Sequence, residues 1–231
     1  MIKWIFKWLL RLFLLAVVLV VIFFLSLNSI MRVLIEHNIR SQTGMDAEIG
    51  RFQLGLTEPV ISIQDLKIYN PPNFGGTPFV EIPEIHVEYD RAALAQRQLH
   101  FTLVRFNLGE LDIVKNAKGE TNIFSLGIPL PKNPSGRAAR QRNEFKERTG
   151  LEFTGIDALN VSVGTLKYID LKDQRHDRTQ KVGIENQVIA NVKTPADLAG
   201  LAVLIGLRSG DFFESLADPG AQKSDPMKLL W

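Results

Sequence analysis

LHFTLVRFNLGELDIVKN, residues 99–116, decides how the chain folds, because its apolar phase changes part-way along. Leu99, Phe101 and Leu103 alternate in one phase. Val104, Phe106 and Leu108 alternate in the other, and Leu111 and Ile113 follow. The same slip recurs elsewhere. Leu159, Val161 and Val163 share a phase that Leu166 and Tyr168 abandon after Gly164, and Ile61 and Ile63 are followed out of phase by Leu66 and Ile68. In a flat strand a slip of one residue sends every later side chain to the opposite face. A β-bulge restores the face while bending and twisting the strand. The pattern therefore predicts an α+β chain, mainly antiparallel β, whose sheet is strongly curved with one apolar concave face.

The remaining strands are shorter. IGRFQLGL opens the series, VISIQDLKIY follows Pro59, and EIHVEYD alternates with Ile85 and Val87 on one side and His86 and Glu88 on the other. Between two of them stands NPPNFGG, residues 70–76. Its prolines remove backbone donors and its glycines permit a sharp return, so it suits a sheet rim rather than a pairing strand. Phe74, with Phe79 nearby, is expected either to cover the end of the apolar trough or to pack beneath its own loop. The expected trough lining is Ile61, Ile63, Leu66, Ile68, Phe74, Phe79, Ile85, Val87, Phe101, Leu103, Phe106, Leu111, Ile113, Val161, Val163 and Leu166.

From Leu12 to Leu25 no residue is polar, and between Trp8 and Met31 only Arg11, Ser26, Asn28 and Ser29 interrupt the run. A bilayer core of ~30 Å needs about 20 apolar residues in a helix, and this run meets that length. It is expected to be an uncleaved transmembrane anchor, with Lys3, Trp4, Lys7, Trp8 and Arg11 at the membrane interface. The positive charges before the span place the N-terminus in the cytoplasm and the remainder on the outer side. The helix continues to Thr43, where Gly44 caps it. Five regions follow: 1–43 anchor and juxtamembrane helix, 44–127 first β segment, 128–150 a proline-, glycine- and arginine-rich linker, 151–193 second β segment, 194–231 C-terminal helix and tail. Thr194-Pro195-Ala196-Asp197 has the signature of a helix start. LAGLAVLIGL behind it is apolar nearly all round, which predicts burial on most sides.

Chemistry is sparsely represented. The chain of 231 residues has no cysteine, a net charge of +2 and mixed charges almost throughout, which disfavours thiolate metal sites, cysteine nucleophiles and nucleic-acid binding. Asp170, Asp173, His176 and Asp177 could in principle hold a divalent cation, but they fall in a turn where such residues are expected anyway. No phosphate loop, dinucleotide fingerprint, nucleophile elbow or zinc-protease motif occurs. An enzyme, a metal and a nucleic-acid partner are not expected.

In order along the chain, the apolar run, Thr43-Gly44, the segment Ile63 to Phe74, the strand pair beyond it and the turn Lys118-Gly119-Glu120-Thr121-Asn122 resemble the N-terminal portion of the AsmA family of bacterial envelope proteins, which includes TamB- and YhdP-like members. Lys118 stands where that turn usually carries an acid. The resemblance implies a repeating β-groove that shields acyl chains, an inner-membrane anchor, a periplasmic domain, and a bound phospholipid or other acyl-chain lipid with no other cofactor. Family members are several times longer. About nine strands at ~4.8 Å spacing would extend only about 40 Å. Two functions remain open. One is a single-pass inner-membrane protein whose groove takes part in phospholipid transfer or outer-membrane maintenance. The other is a structural subunit of a larger envelope complex without lipid cargo. The expected partners are the lipid bilayer and either a second copy or other envelope proteins.

Overall fold

The computed structural model describes residues 2–55, 57–125 and 143–210. Helix α1 (Ile2–Thr43) leads into strands β1 (Ala47–Leu54), β2 (Val60–Tyr69) and β3 (Pro78–Tyr89). The short helix α2 (Arg91–Ala95) precedes the 18-residue strand β4 (Gln98–Lys115). Helices α3 (Asn122–Ser125) and α4 (143–149) lie in the crossover to β5 (Glu152–Asp170). Strand β6 (Arg178–Val192) and helix α5 (Ala199–Ser209) complete the described chain.

The six strands form one sheet in the order β1-β2-β3-β4-β5-β6. All neighbours are antiparallel except β4 and β5, which run parallel. The sheet is therefore mixed, and it is not strongly curled, which corrects the expectation of a strongly curved antiparallel groove. Two parallel neighbours require a crossover that returns the chain to the starting end of the sheet. Residues 116–151 serve as that crossover, where the sequence suggested a linker between two hairpin sets. At ~3.3 Å per residue, β4 is about 60 Å long, and six strands at ~4.8 Å spacing span about 24 Å. The sheet is long and narrow.

The phase slips explain why the sheet does not curl. Strand β1 places Ala47, Ile49, Phe52 and Leu54 on the apolar face; β2 places Ile61, Ile63, Leu66 and Ile68; β3 places Val80, Ile82, Ile85 and Val87. Strands β4 and β5 repeat the step with Leu108 to Leu111 and Val163 to Leu166. Over these residues each strand spaces its apolar side chains by two except for one step of three. The steps of three lie side by side. The pairing jumps together over Gly50 on β1, Asp65 on β2 and Pro83 on β3, and farther across the sheet over Gly109 on β4 and Gly164 on β5. A bulge bends a strand because one strand holds a residue more than its partner. Here the slips are matched from β1 to β5, the register on either side is kept, and a shallow crease replaces a bend. Only the β5–β6 pair shifts register at this level, next to Gly183 with φ +60°.

Backbones approach closely along the crease. A Cβ on Gly164 would stand 2.3 Å from the Gly109 carbonyl oxygen, and one on Gly109 would stand 3.1 Å from the Pro83 ring. Asp65 takes φ +54°, an uncommon conformation for a residue with a side chain.

Rows of paired apolar residues cross the sheet on either side of the crease. Phe52, Ile63, Ile85, Phe106 and Val161 form one row, and Leu54, Ile61, Val87, Val104, Leu159 and Ile189 form another. Beyond the crease stand Ala47, Ile68, Val80, Leu111 and Leu166. On the opposite face, Lys67 donates to Glu81 (3.2 Å), Arg105 to Glu84 (3.2 Å) and Lys167 to Glu110 (2.6 Å). One face is thus apolar and the other a charge ladder.

Helix α1 ends at Thr43, with the Gly44 amide donating to the Arg40 carbonyl. Its C-terminal half is committed to the sheet. Asn28 accepts from the Leu54 amide (3.1 Å), Glu36 accepts from the Ile49 amide (2.8 Å), and Met31, Ile35 and Ile39 pack on the apolar face. The expected span, counted to Met31, therefore includes residues that serve the sheet. Among the described residues no helix is long and apolar enough to cross a membrane. The single-pass inner-membrane placement, with its cytoplasmic N-terminus and periplasmic domain, is corrected accordingly.

Helix α5 follows a 3-10 turn, Pro195–Leu198, in which Asp197 accepts from the Thr194 amide at 2.7 Å. It is covered on one side only. Leu201, Leu204 and Ile205 face the sheet, whereas Leu207 is 76% exposed.

Gly164→Ala is expected to destabilise the fold by ~1–3 kcal/mol, the range for overpacking. Gly206→Ala in α5, where a Cβ would meet nothing within 4 Å, is expected to be neutral or stabilising by up to ~1 kcal/mol. Thermal unfolding of the two variants measures both.

Candidate functional site

The apolar face is covered at its two edges and not between them. At one edge α1 closes over Ile49, Phe52, Leu66 and Ile82. At the other, α5 closes over Val161, Val163, Leu166, Val182 and Ile184. Between the helices, Ile61, Ile63, Ile85, Val87, Val104, Phe106 and Leu159 are all partly exposed. They form a strip along the strands with two helical walls and a sheet floor, and none of these seven side chains carries a polar group.

The expected lining residues separate into three groups. Ile61, Ile63, Ile85, Val87 and Phe106 lie on the strip. Ile68 and Leu111 continue the apolar face past the crease, and Phe101 marks its far end, where its ring lies 6.2 Å from that of Phe153. Leu66, Ile113, Val161, Val163 and Leu166 share the face but are buried beneath the walls and neighbouring side chains. Three residues lie off the strip. Leu103 pairs with Glu88, and Glu88 contacts His86 on the polar side. Phe79 is buried beside the register shift between Ile68 and Tyr69. Phe74 is completely buried. Val104 and Leu159 belong to the strip although the expected lining omits them. Their pairing with Val87 and with each other across β4 and β5 brings them there.

The loop that holds Phe74 is locked from within. Pro72–Phe74 forms one 3-10 turn, Gly75 follows at φ +86°, and the Asn70 amide donates to the Thr77 carbonyl. Asn70 is buried and accepts from the Asn122 side chain at 2.8 Å. Asn122 also donates to the Asp112 carbonyl (2.8 Å) and accepts from the Val114 amide (3.1 Å). Two turns 52 residues apart are thereby pinned to the same stretch of β4.

The acidic turn after β5 has an internal use for its carboxylates. Asp170 accepts from the amides of Lys172 and Asp173, Asp177 accepts from the Asp170 amide, and Asp173 accepts from the Arg175 amide and guanidinium. The Arg175 bonds hold the Asp173 carboxyl below the usual carboxylate range. Among the described residues no group of three or more His, Asp or Glu is placed to hold a metal.

Of the expected interface anchors, Trp8 and Arg11 are described. The Arg11 guanidinium lies 5.9 Å from the centre of the Trp8 ring, and Trp8 is 54% exposed. The side chains of Lys3, Trp4 and Lys7 lie outside the described residues, as do the basic segment before α4 and the C-terminal MKLLW. In comparisons with known protein families, curated proteins and solved structures, the chain matches none.

The α1 wall depends on its polar contacts with the β1 edge. Glu36→Ala leaves the Ile49 amide without its acceptor and is expected to cost ~1–2 kcal/mol. Glu36→Gln keeps an amide oxygen in place and is expected to cost less than half as much. Chemical denaturation of both variants distinguishes a hydrogen-bond role from a charge role.

Proposed function

We propose that the strip between α1 and α5 binds the acyl chain of a lipid, and that the chain takes part in phospholipid transfer in contact with a bilayer. The observation that carries this reading is the continuous row of partly exposed apolar side chains on an otherwise charge-laddered sheet. Each buried methylene contributes ~0.8 kcal/mol, so about ten would supply ~8 kcal/mol before the cost of association. Such a site needs no polar recognition. The N-terminal half of α1 provides the contact with lipid, since Trp8, Leu12, Leu14, Leu15, Val18 and Leu19 are each more than half exposed. A contiguous apolar surface of this kind marks an interaction site. The proposal concerns contact and implies no crossing. The resemblance to the AsmA family points the same way.

The alternative, a structural subunit without lipid, draws on the outer edge of β6. Residues 185–188 are exposed there, and Val188 is 56% exposed. That edge is a poor template for another strand, because register shifts opposite Val163 and positive φ at Gly183 and Asn186 blunt it. The lipid reading is therefore preferred.

Native mass spectrometry of the full chain in mild detergent tests it. The expected result is copurified lipid that is lost in Val87→Asp and Phe106→Asp, both of which leave α1 intact. Lipid retained equally by the variants would overturn the assignment to the strip, and no lipid in the parent protein would overturn the function.

A further inference from the structure

Asp112 lies on the charged face of β4, two residues after Glu110 and directly opposite Lys167 on β5. It is 6% exposed, and its Oδ1 is buried without a hydrogen-bond partner. The Glu110 carboxylate, two residues earlier on the same face, already accepts from Lys167 at 2.6 Å. Several other charged groups on this face are partnered. On β3, Glu81 accepts from Lys67 of β2, and on β1, Glu48 accepts from the Tyr69 hydroxyl of β2. Lys167 is therefore the cation shared by two adjacent carboxyl groups.

A carboxylate with a bare, buried oxygen is costly. A protonated carboxyl that donates to a neighbouring carboxylate is not, because the bond is short and charge-assisted. Burial first, then the negative charge of Glu110, pushes Asp112 up to about 6. The Asp112 carbonyl in turn accepts from Asn122, the side chain that holds Asn70 and with it the loop 70–77.

We propose that Glu110 and Asp112 hold one proton between them, and that its loss loosens the Asn122–Asn70 lock, so that this end of the sheet is a pH-sensitive latch. The proton leaves to water, and Asp112 remains as a second anion beside Glu110 with only Lys167 to balance both. The folded value lies above the ordinary 3.8. The stabilisation is therefore complete below about pH 3.8 and is lost as pH rises through about 6. The latch is independent of the proposed acyl site, which lies on the other face.

Amide hydrogen exchange of residues 70–77 and 112–122 in the full chain, corrected for intrinsic rates, tests the latch. The opening equilibrium is expected to rise about tenfold per pH unit between about pH 4 and 6 and to level off above. Asp112→Asn should remove the step, and Glu110→Gln should move it to lower pH. A flat profile in the parent protein, or an unchanged step in Asp112→Asn, would overturn the proposal. Carboxyl-carbon NMR of the parent protein gives the answer without a variant: a midpoint near 6 supports the latch, and one below about 4.5 overturns it.

Discussion

The molecule depends on five strands slipping by one residue at the same level. A slip in one strand alone would turn half of its apolar side chains to the solvent face. Matched slips keep Ile49, Leu66 and Ile82 on the same face as Phe52, Ile63 and Ile85, with the cross-strand register unbroken. The cost is a line of close backbone approaches. That line is built from residues that tolerate them: Gly50, Gly109 and Gly164 have no side chain to clash, and Pro83 has no amide hydrogen that must find a partner.

A narrow sheet with one apolar face must cover that face or use it. Helix α1 covers one edge and also supplies Asn28 and Glu36 as acceptors for the free amides of β1, which protects that edge from pairing. Helix α5 covers the opposite edge. Together they leave the middle strands with partly exposed Ile85, Val87, Val104 and Phe106. The other face carries ion pairs, and Asp112, whose Oδ1 is buried without a partner, sits where two turns are tied to β4. The apolar strip and Asp112 thus occupy opposite faces of the same long strand.

Much of this was legible in the sequence. The phase slips at Val163/Leu166 and Ile63/Leu66 marked the crease and Gly44 marked a helix end, whereas the slip read in β4 fell between Leu103 and Val104 and not at the crease step from Leu108 to Leu111. The consequence of the slips was misread because one strand's pattern cannot tell a lone bulge, which bends a sheet, from matched slips, which do not. The parallel β4–β5 pair was equally hidden. Alternation records which face a side chain takes and carries nothing about strand direction. Leu103 was misplaced for a local reason: the register shifts between Glu88 and Tyr89, so Phe101 and Leu103 do not share a face as their spacing suggests. Asp112 gave no signal, since nothing in its strand's alternation marks a charged residue as buried.

The account's central claim is that lipid lies on the middle of the apolar face. The most direct measurement is photo-crosslinking of the full chain with a fatty acid that carries a diazirine along its acyl chain, followed by peptide mapping. The account predicts adducts on β2, β3 and β4 at Ile61, Ile63, Ile85, Val87, Val104 and Phe106, reduced by excess unlabelled fatty acid. Adducts confined to the exposed shaft of α1, or spread evenly over both faces of the sheet, would contradict it.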